Sequence, residues 1–394
     1  MSHGTKRIAP AAVAVMLATA CGASGAEGDG DGDGDQPADM QVVAGGSAES
    51  RLPGYVTDVD VRDGMMAVIG LRDGETSVLW QVNDGQLEET PLPGMESMTD
   101  VAVAPDGSVM VVDASGIWRV SGSDAQLEIA DDDAQDTAVR TENGDIRAVA
   151  VDGEGRLLWT VVGSEDRTTQ ADAHAKSRHP IVVHRLDGDQ VDTVAGSDRP
   201  ASNSDEELFD RQQDPPAGTP ARGFAMVSPG PDLDLAADSA GVYLLASSYV
   251  LTVSPDGSLS KLAGGVDRDA PGRPFTDEGV AQELGMEITE RSGISASDGR
   301  VVIADFSFTG EFGDNADFAW TGDFTNVQQR LIDKVMDGAV HDAGAVLVED
   351  GHATTAAVHA KAAAIDGDWL YLVGQVDDDR DQAILVRTRV PDWR

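Results

Sequence analysis

The feature that most constrains this chain is a short unit that returns six times between residues 58 and 374. Each copy alternates apolar and polar residues, turns at a glycine, and continues as a second apolar run. The copies begin at Asp58-Val59-Asp60-Val61, Asp100-Val101-Ala102-Val103, Ala148-Val149-Ala150-Val151, Asp234-Leu235-Ala236-Ala237, Gly293-Ile294-Ser295-Ala296 and Ala362-Ala363-Ala364-Ile365. Alternation with period two places every second side chain on one face of a strand, so each copy reads as half-buried strands and not as helix. Asp63-Gly64, Asp298-Gly299 and the other Gly-containing turns accept positive φ, which tight hairpins need. A third strand follows most copies, at Thr76–Val82, Ile117–Val120, Ile181–Leu186, Tyr249–Val253, Val327–Val335 and Ala383–Val390. Several carry a fourth, most clearly Ser258–Ala263 after Pro255-Asp256-Gly257.

A single such sheet cannot bury both faces, whereas six arranged radially bury them against one another. The expected fold is therefore all-β, a six-bladed β-propeller over residues 40–394. The strand Val42-Val43-Ala44 stands before the first copy, and the last copy has only three strands before Arg394. This N-terminal strand is expected to complete the last blade, which removes the open edge of a non-closed array.

The copies resemble NHL repeats, a family that builds six-bladed propellers. Val194-Ala195-Gly196 and Leu262-Ala263-Gly264-Gly265 are similar to the Ala-Gly ending of the family's fourth strand. Ala304-Asp305 followed by Asn326-Val327-Gln328-Gln329-Arg330-Leu331-Ile332-Asp333-Lys334-Val335 is similar to its Asp…Asn…Arg-Ile-Lys-Val stretch. The sequence departs from the family at the insertion Phe306–Thr325, at the long loop Ser197–Pro231 and at the atypical stretch Gly163–Pro180. The insertion gathers Trp320 with Phe306, Phe308, Phe312, Phe318 and Phe324, and reads equally as a lid or partner-binding surface and as a small core on a blade edge.

Residues 1–20 read as a signal peptide: Lys6 and Arg7 precede the short apolar stretch Ile8–Leu17, too short to span a bilayer. Leu17-Ala18-Thr19-Ala20-Cys21-Gly22 resembles the lipobox of bacterial lipoproteins, which implies lipidation at Cys21. In that family Leu stands three residues before the cysteine, where this chain has Ala18. Ala18-Thr19-Ala20 also fits an ordinary cleavage site, which would export the protein without a lipid. Cys21 is the sole cysteine, so no disulfide can form within the chain. Residues 21–39 form an acidic Gly/Asp linker, expected to be disordered because Gly28–Asp35 has nothing to bury and repels itself. Asp29, Asp31 and Asp33 mimic an EF-hand loop, but Met40 stands where its bidentate Glu belongs. The expected location is the outer face of the cytoplasmic membrane.

With 70 acidic against 28 basic residues the net charge is −42, a field that repels nucleic acid and anionic headgroups and excludes a nucleic-acid partner. No G-x-S-x-G elbow, phosphate-binding Gly loop or H-E-x-x-H is present. His174, His179 and His184 are five apart, which alternates faces on a strand, and read as loop and surface residues. His352 and His359 read as the loop and approach to the sixth copy. Asp131–Asp133 and Asp377–Asp379 read as solvated turns. Trp80, Trp118, Trp159 and Trp369 fall in or beside strand patterns and read as core.

One constellation stands apart. Asp58, Asp100 and Asp234 hold equivalent places at the start of the first strands of the first, second and fourth copies. First strands line a propeller's channel, so these carboxylates are expected in a ring, either as turn-capping groups that bond backbone or as ligands for a hard cation such as Ca²⁺. Ala148, Gly293 and Ala362 leave the other half of the ring without ligands. The reading favoured by the sequence is a monomeric, lipid-anchored binding or scaffold module for a protein, peptide or glycan, with no cofactor. The alternative is a propeller hydrolase or lyase, lactonase-like, with a metal in the channel.

Overall fold

The computed structural model describes residues 41–45, 52, 55–72, 76–83, 86–90, 92, 95, 97–130, 145–163, 179–197, 215–228, 233–246, 249–264, 278–280, 286–308, 344–349, 352–356, 362–375 and 383–389. The chain divides into two units, 1–36 and 37–394. The first lies wholly outside the described residues, as do Cys21 and the acidic linker. Among the described residues no helix is long and apolar enough to cross a membrane.

All described elements are strands. β1 (Gln41–Gly45) is followed by sheet 1, β2 (Tyr55–Arg62), β3 (Met65–Arg72), β4 (Thr76–Asn83) and β5 (Gln86–Thr90). Sheet 2 is β6 (Asp100–Val103), β7 (Val109–Asp113), β8 (Gly116–Ser121) and β9 (Asp124–Ala130). Sheet 3 is β10 (Asp145–Val151), β11 (Leu157–Val162), β12 (His179–Asp187) and β13 (Gln190–Gly196). Two short strands follow, β14 (Thr219–Pro220) and β15 (Met226–Ser228). Sheet 4 is β16 (Leu233–Ala237), β17 (Val242–Ala246), β18 (Tyr249–Val253) and β19 (Ser258–Gly264). After β20 (Glu278–Val280), sheet 5 is β21 (Met286–Ser297), β22 (Arg300–Phe308), β23 (Gly344–Glu349) and β24 (His352–Ala356). Sheet 6 is β25 (Ala362–Asp366), β26 (Trp369–Gln375) and β27 (Ala383–Arg389). Neighbouring strands within every sheet are antiparallel, and β1 adds to sheet 6 through β27, with Gln41 opposite Arg387.

The six first strands follow one another around an axis: β2 lies against β6, β6 against β10, β10 against β16, β16 against β21, β21 against β25, and β25 against β2. This is the arrangement of an all-β propeller. Its core lies in the seams between sheets. Val59, Val61 and Met66 of sheet 1 pack with Ala364, Tyr371 and Leu385 of sheet 6. Ile69 and Leu79 of sheet 1 meet Val103 and Val111 of sheet 2. Met110 and Ile117 of sheet 2 meet Trp159 and Val161 of sheet 3. Leu158 and Val183 of sheet 3 meet Leu244 and Leu251 of sheet 4, and Leu245 of sheet 4 meets Ile303 of sheet 5.

The turns follow from the residues at them. Asp63 (φ 51°) with Gly64 (φ 75°), and Asp298 (φ 54°) with Gly299 (φ 79°), are left-handed pairs joining first to second strands, which Asp-Gly supplies at low steric cost. The link between sheets 3 and 4 works differently. β15 pairs with the start of β12, while β14 pairs with β19, so one short segment laces both sheets. Gly196 N–H donates to Ala221 O at 3.1 Å, Gly223 N–H to Gly196 O at 2.8 Å, and Ala221 N–H to Gly257 O at 2.9 Å. At Gly196 (φ 89°) a Cβ would lie 2.2 Å from Ile181 O, so only glycine fits.

Three expectations need correction. The strand that pairs with β22 is Gly344–Glu349, not Val327–Val335, which lies outside the described residues together with residues 309–325 of the insertion. His184 is no surface residue: it is 2% exposed on β12, opposite Trp159 on β11, with ring centroids 5.4 Å apart. Burial pushes its imidazole down to about 4, so it is neutral at physiological pH. His352 opens β24 and does not sit in a loop.

If seam packing holds the ring, Leu245→Ala, at a fully buried position between sheets 4 and 5, should cost about 2–5 kcal/mol in equilibrium urea unfolding. A cost below about 0.5 kcal/mol, the size of an ordinary surface change, would contradict that packing.

Candidate functional site

Three successive inward positions of β2 set the geometry of the axis. Asp58, Asp60 and Arg62 alternate with Val59 and Val61, whose side chains are buried in the seam with sheet 6. Asp58 Oδ2 accepts the Val101 N–H at 3.1 Å, and Asp60 Oδ2 accepts the Val103 N–H at 2.7 Å. Both amides belong to β6, the next first strand. At the third step sheet 2 offers Pro105, which has no N–H. Arg62 instead reaches past it to sheet 3 and donates to the carbonyls of Asp152, at 3.0 Å, and Val151.

The same device recurs around the axis. Asp100 Oδ2 accepts the Val149 N–H of β10 at 2.6 Å, and Asp234 Oδ2 accepts the Ile294 N–H of β21 at 2.7 Å. Asp238 Oδ2 takes the Gly299 N–H at 2.7 Å. From β21, Ser295 Oγ takes the Ile365 N–H at 3.2 Å and Ser297 Oγ the Gly367 N–H at 3.0 Å. Asp366 Oδ2 takes the Gly64 N–H at 2.8 Å, returning the series to sheet 1. At the seam between sheets 3 and 4 β10 has Ala148 and Ala150 at the corresponding places, and residues 215–228 tie the outer strands of the two sheets together instead.

The expected ring of Asp58, Asp100 and Asp234 therefore does come together. The carboxyls of Asp58 and Asp100 are close neighbours, and each affects the ionisation of the other. A Cβ at Gly293 would lie 3.5 Å from both Asp234 Oδ2 and Asp58 Oδ1, so these two point toward the same gap. Asp100 and Asp234 are 5% and 7% exposed. Burial, then the charges of Asp234 and Asp58, hold the Asp100 carboxyl well above the usual carboxylate range. Burial and the Asp58 charge do the same to Asp234. Asp58 is pushed up to about 6, chiefly by burial, and Asp60 is raised for the same reason.

As cation ligands the trio is already engaged. Asp100 Oδ1 accepts the Val101 N–H at 2.7 Å and Asp234 Oδ1 the Leu235 N–H at 2.6 Å, so both oxygens of each carboxyl hold an amide. Calcium takes about six to eight oxygens, and among the described residues no group of three or more His, Cys, Asp or Glu is set out to hold a metal ion.

Asp58 and Asp100 line an axial cavity of about 400 Å³. All six first strands contribute to its wall. Asp58, Asp60 and Asp100 lie along it, Asp298 and Asp366 stand toward its rim, and Arg62 is the one cation among the described lining residues. Sequence reasoning found Asp58, Asp100 and Asp234 by aligning strand starts. It passed over Asp60, Arg62, Asp238 and Ser295, although the period of two places Asp60 and Arg62 on the same side of β2 as Asp58.

No protein-family model matches the chain, and no curated protein does. Among solved structures it is similar to a gluconolactonase from Xanthomonas campestris, at 10% identity over 88% of each chain with a TM-score of 0.40. It is similar to YCF48 with a bound peptide, at 12% identity over 85% of this chain and 77% of that one, TM-score 0.34. TolB from Acinetobacter baumannii matches at 10% identity over 80% of this chain and 60% of its own, TM-score 0.35. The propeller assignment rests on the chain's own sheets and seams and not on these neighbours.

The raised carboxyls give a signed pH dependence. The folded ring favours their protonated form, so this contribution is full below the ordinary carboxylate pKa near 3.8 and is lost as pH rises through about 6. Both Asp100 oxygens accept amides, and Asn can offer only one acceptor, so Asp100→Asn should be less stable than the wild type near pH 4.5 by about 1–3 kcal/mol in urea unfolding. The deficit should narrow at pH 8, where the wild type has lost the contribution of its raised carboxyl and the variant has none to lose. A deficit that is the same at both pH values would contradict the raised carboxyl.

Proposed function

We propose that this chain is an exported, lipid-anchored, six-bladed propeller of the NHL type. It acts as a binding module whose ligand, a protein, peptide or glycan, seats at the mouth of the axial cavity. The observation that carries this reading is the cavity itself: it is framed by all six first strands and rimmed by polar groups on turns. Loops presented by a rigid scaffold are where recognition residues concentrate. The pairing of β1 with β27 supports closure of the sixth blade by the N-terminal strand, and the cyclic order of the six sheets supports the blade number. Export and the anchor at Cys21 rest on the N-terminal sequence. The same reading takes the protein as a monomer that binds no nucleic acid.

A second reading has one observation in its favour. Asp58, Asp100 and Asp234 converge on the axis, as a site for a hard cation would require, and a metal there would suit a hydrolase or lyase of lactonase-like type. Their amide partners leave them few free lone pairs, so binding a cation would require water or substrate to supply most of the shell.

Three measurements test the proposal. Probing peptide and glycan arrays with the mature chain should give hits that Asp63→Asn with Asp298→Asn weakens at least tenfold. Asn keeps the left-handed turns while removing two rim charges. Hits that survive unchanged place binding elsewhere. Elemental analysis of the purified protein, with melting before and after EDTA, should show no stoichiometric divalent ion under the first reading and a stabilising one under the second. In cells, Cys21→Ser should move the protein from the membrane fraction to the soluble one; a wild type already soluble would remove the anchor.

A further inference from the structure

We infer that the seam between sheets 2 and 3 is an acid-labile joint of the ring, with His184 as its trigger. His184 lies directly opposite Trp159 on β11 and Thr193 on β13, so its ring stands on the face of sheet 3 that packs against sheet 2. The seam there is apolar: Met110 and Ile117 come from sheet 2, and Val149, Trp159 and Val161 from sheet 3. Trp159 and His184 are 1% and 2% exposed, with their rings tilted by 35°. Among the described residues neither Trp159 Nε1 nor His184 Nδ1 has a hydrogen-bond partner. Buried polar atoms are nearly always paired, so two orphans on facing rings ask for an explanation.

The chemistry of the two atoms sets the direction of the response. An indole nitrogen only donates, while Nδ1 of an imidazole that carries its proton on Nε2 only accepts. The neutral pair is complementary, one donor and one acceptor in the same apolar seam. A proton on Nδ1 turns it into a second donor, so the folded seam then holds two donors, no acceptor and a charge stripped of water. No neighbour offsets that charge. By alternation Arg185, Asp187 and Asp192 lie on the opposite face of sheet 3, and Asp113 on the face of sheet 2 toward sheet 1. Arg119 of sheet 2 is ion-paired with Glu128, and Arg147 of β10 with Asp145; Asp124 is exposed. Burial is the sole cause of the lowered imidazole. Its folded-state value, about 4, lies below the ordinary 6.5, so the stability that neutral His184 contributes is full above 6.5 and is lost as pH falls toward 4. The raised axial carboxyls run the other way and contribute most at low pH. Acid therefore loosens the outer part of sheet 3 from sheet 2 while the axis holds.

Hydrogen exchange of the intact folded protein at pH 7 and pH 5, corrected for the intrinsic effect of pH on exchange, reads the joint at the amides of β12, with β3 of sheet 1 as reference. Values of about 4 and 6.5 predict that the opening constant of β12 rises about twentyfold between the two pH values, while that of β3 does not rise. His184→Asn keeps a neutral side-chain acceptor and cannot take up the charge, and it should abolish the rise. Wild-type β12 amides that open equally at both pH values overturn the joint, as does a rise that persists in folded His184→Asn. Should that variant fail to fold, the imidazole titration of the wild type decides by NMR. A His184 that titrates well below 6.5, with sheet 3 opening as it protonates, upholds the joint. One that titrates at 6.5 with β12 still protected overturns it.

Discussion

The hydrogen bond from the amide of one first strand to a short side chain of the preceding first strand is what the rest of the ring depends on. Sheets in a propeller pack face to face through apolar seams, and apolar contact alone sets no register between them. The innermost strand of each sheet also has an edge turned toward the axis, with amides that need acceptors. Asp58, Asp60, Asp100, Asp234, Asp238, Asp366, Ser295 and Ser297 meet both needs. Each accepts an amide of the next sheet and fixes that sheet's height, the Val101 amide being shared between Asp58 and Asp100. A charged acceptor makes the stronger bond, and the carboxylates dominate the set.

That solution concentrates acid at the axis of a chain already far from neutral. Burial first, and then the crowding of three carboxyls at one narrow gap, disfavours ionisation, so the carboxyl groups are raised together. The same crowding makes the axis polar and open instead of filled, which leaves the cavity. Structure and site are therefore not separable here: the groups that register the sheets are also the groups a ligand would meet. Arg62 sits at the junction of the two roles, balancing charge at the mouth where the strand-to-strand pattern ends at Pro105.

Much of this was legible in the sequence. Alternation and Asp-Gly turns located the first and second strands of all six sheets, and aligning strand starts brought Asp58, Asp100 and Asp234 to equivalent places. The pairing of the strand near Val43 with the last sheet followed from a missing fourth strand. What stayed hidden is informative. A ring of aspartates at equivalent positions signals shared environment but not which partner each oxygen takes, since an amide and a cation ask for the same carboxylate. The two-strand reach of Arg62 depends on a proline forty-three residues away, which no local pattern connects. His184 was misread because its five-residue spacing from His179 was weighed as a metal pattern and rejected, while the apolar run Ile181-Val182-Val183 that carries it into the strand does not reveal its cross-strand partner, Trp159. The third strand of sheet 5 was displaced because Val327–Val335, just after the insertion, fits the repeat's strand pattern as well as the true strand does.

The measurement that bears most directly on the account is residue-resolved hydrogen exchange of the intact folded protein, read at the amides of Val101, Val103, Val149, Ile294 and Ile365. If side-chain acceptors of the preceding strand register the ring, these five amides exchange among the slowest in the chain, opening only with global unfolding. Rapid exchange at these positions while second and third strands such as β7 and β18 remain protected would contradict it, and would leave the seams alone holding the sheets together.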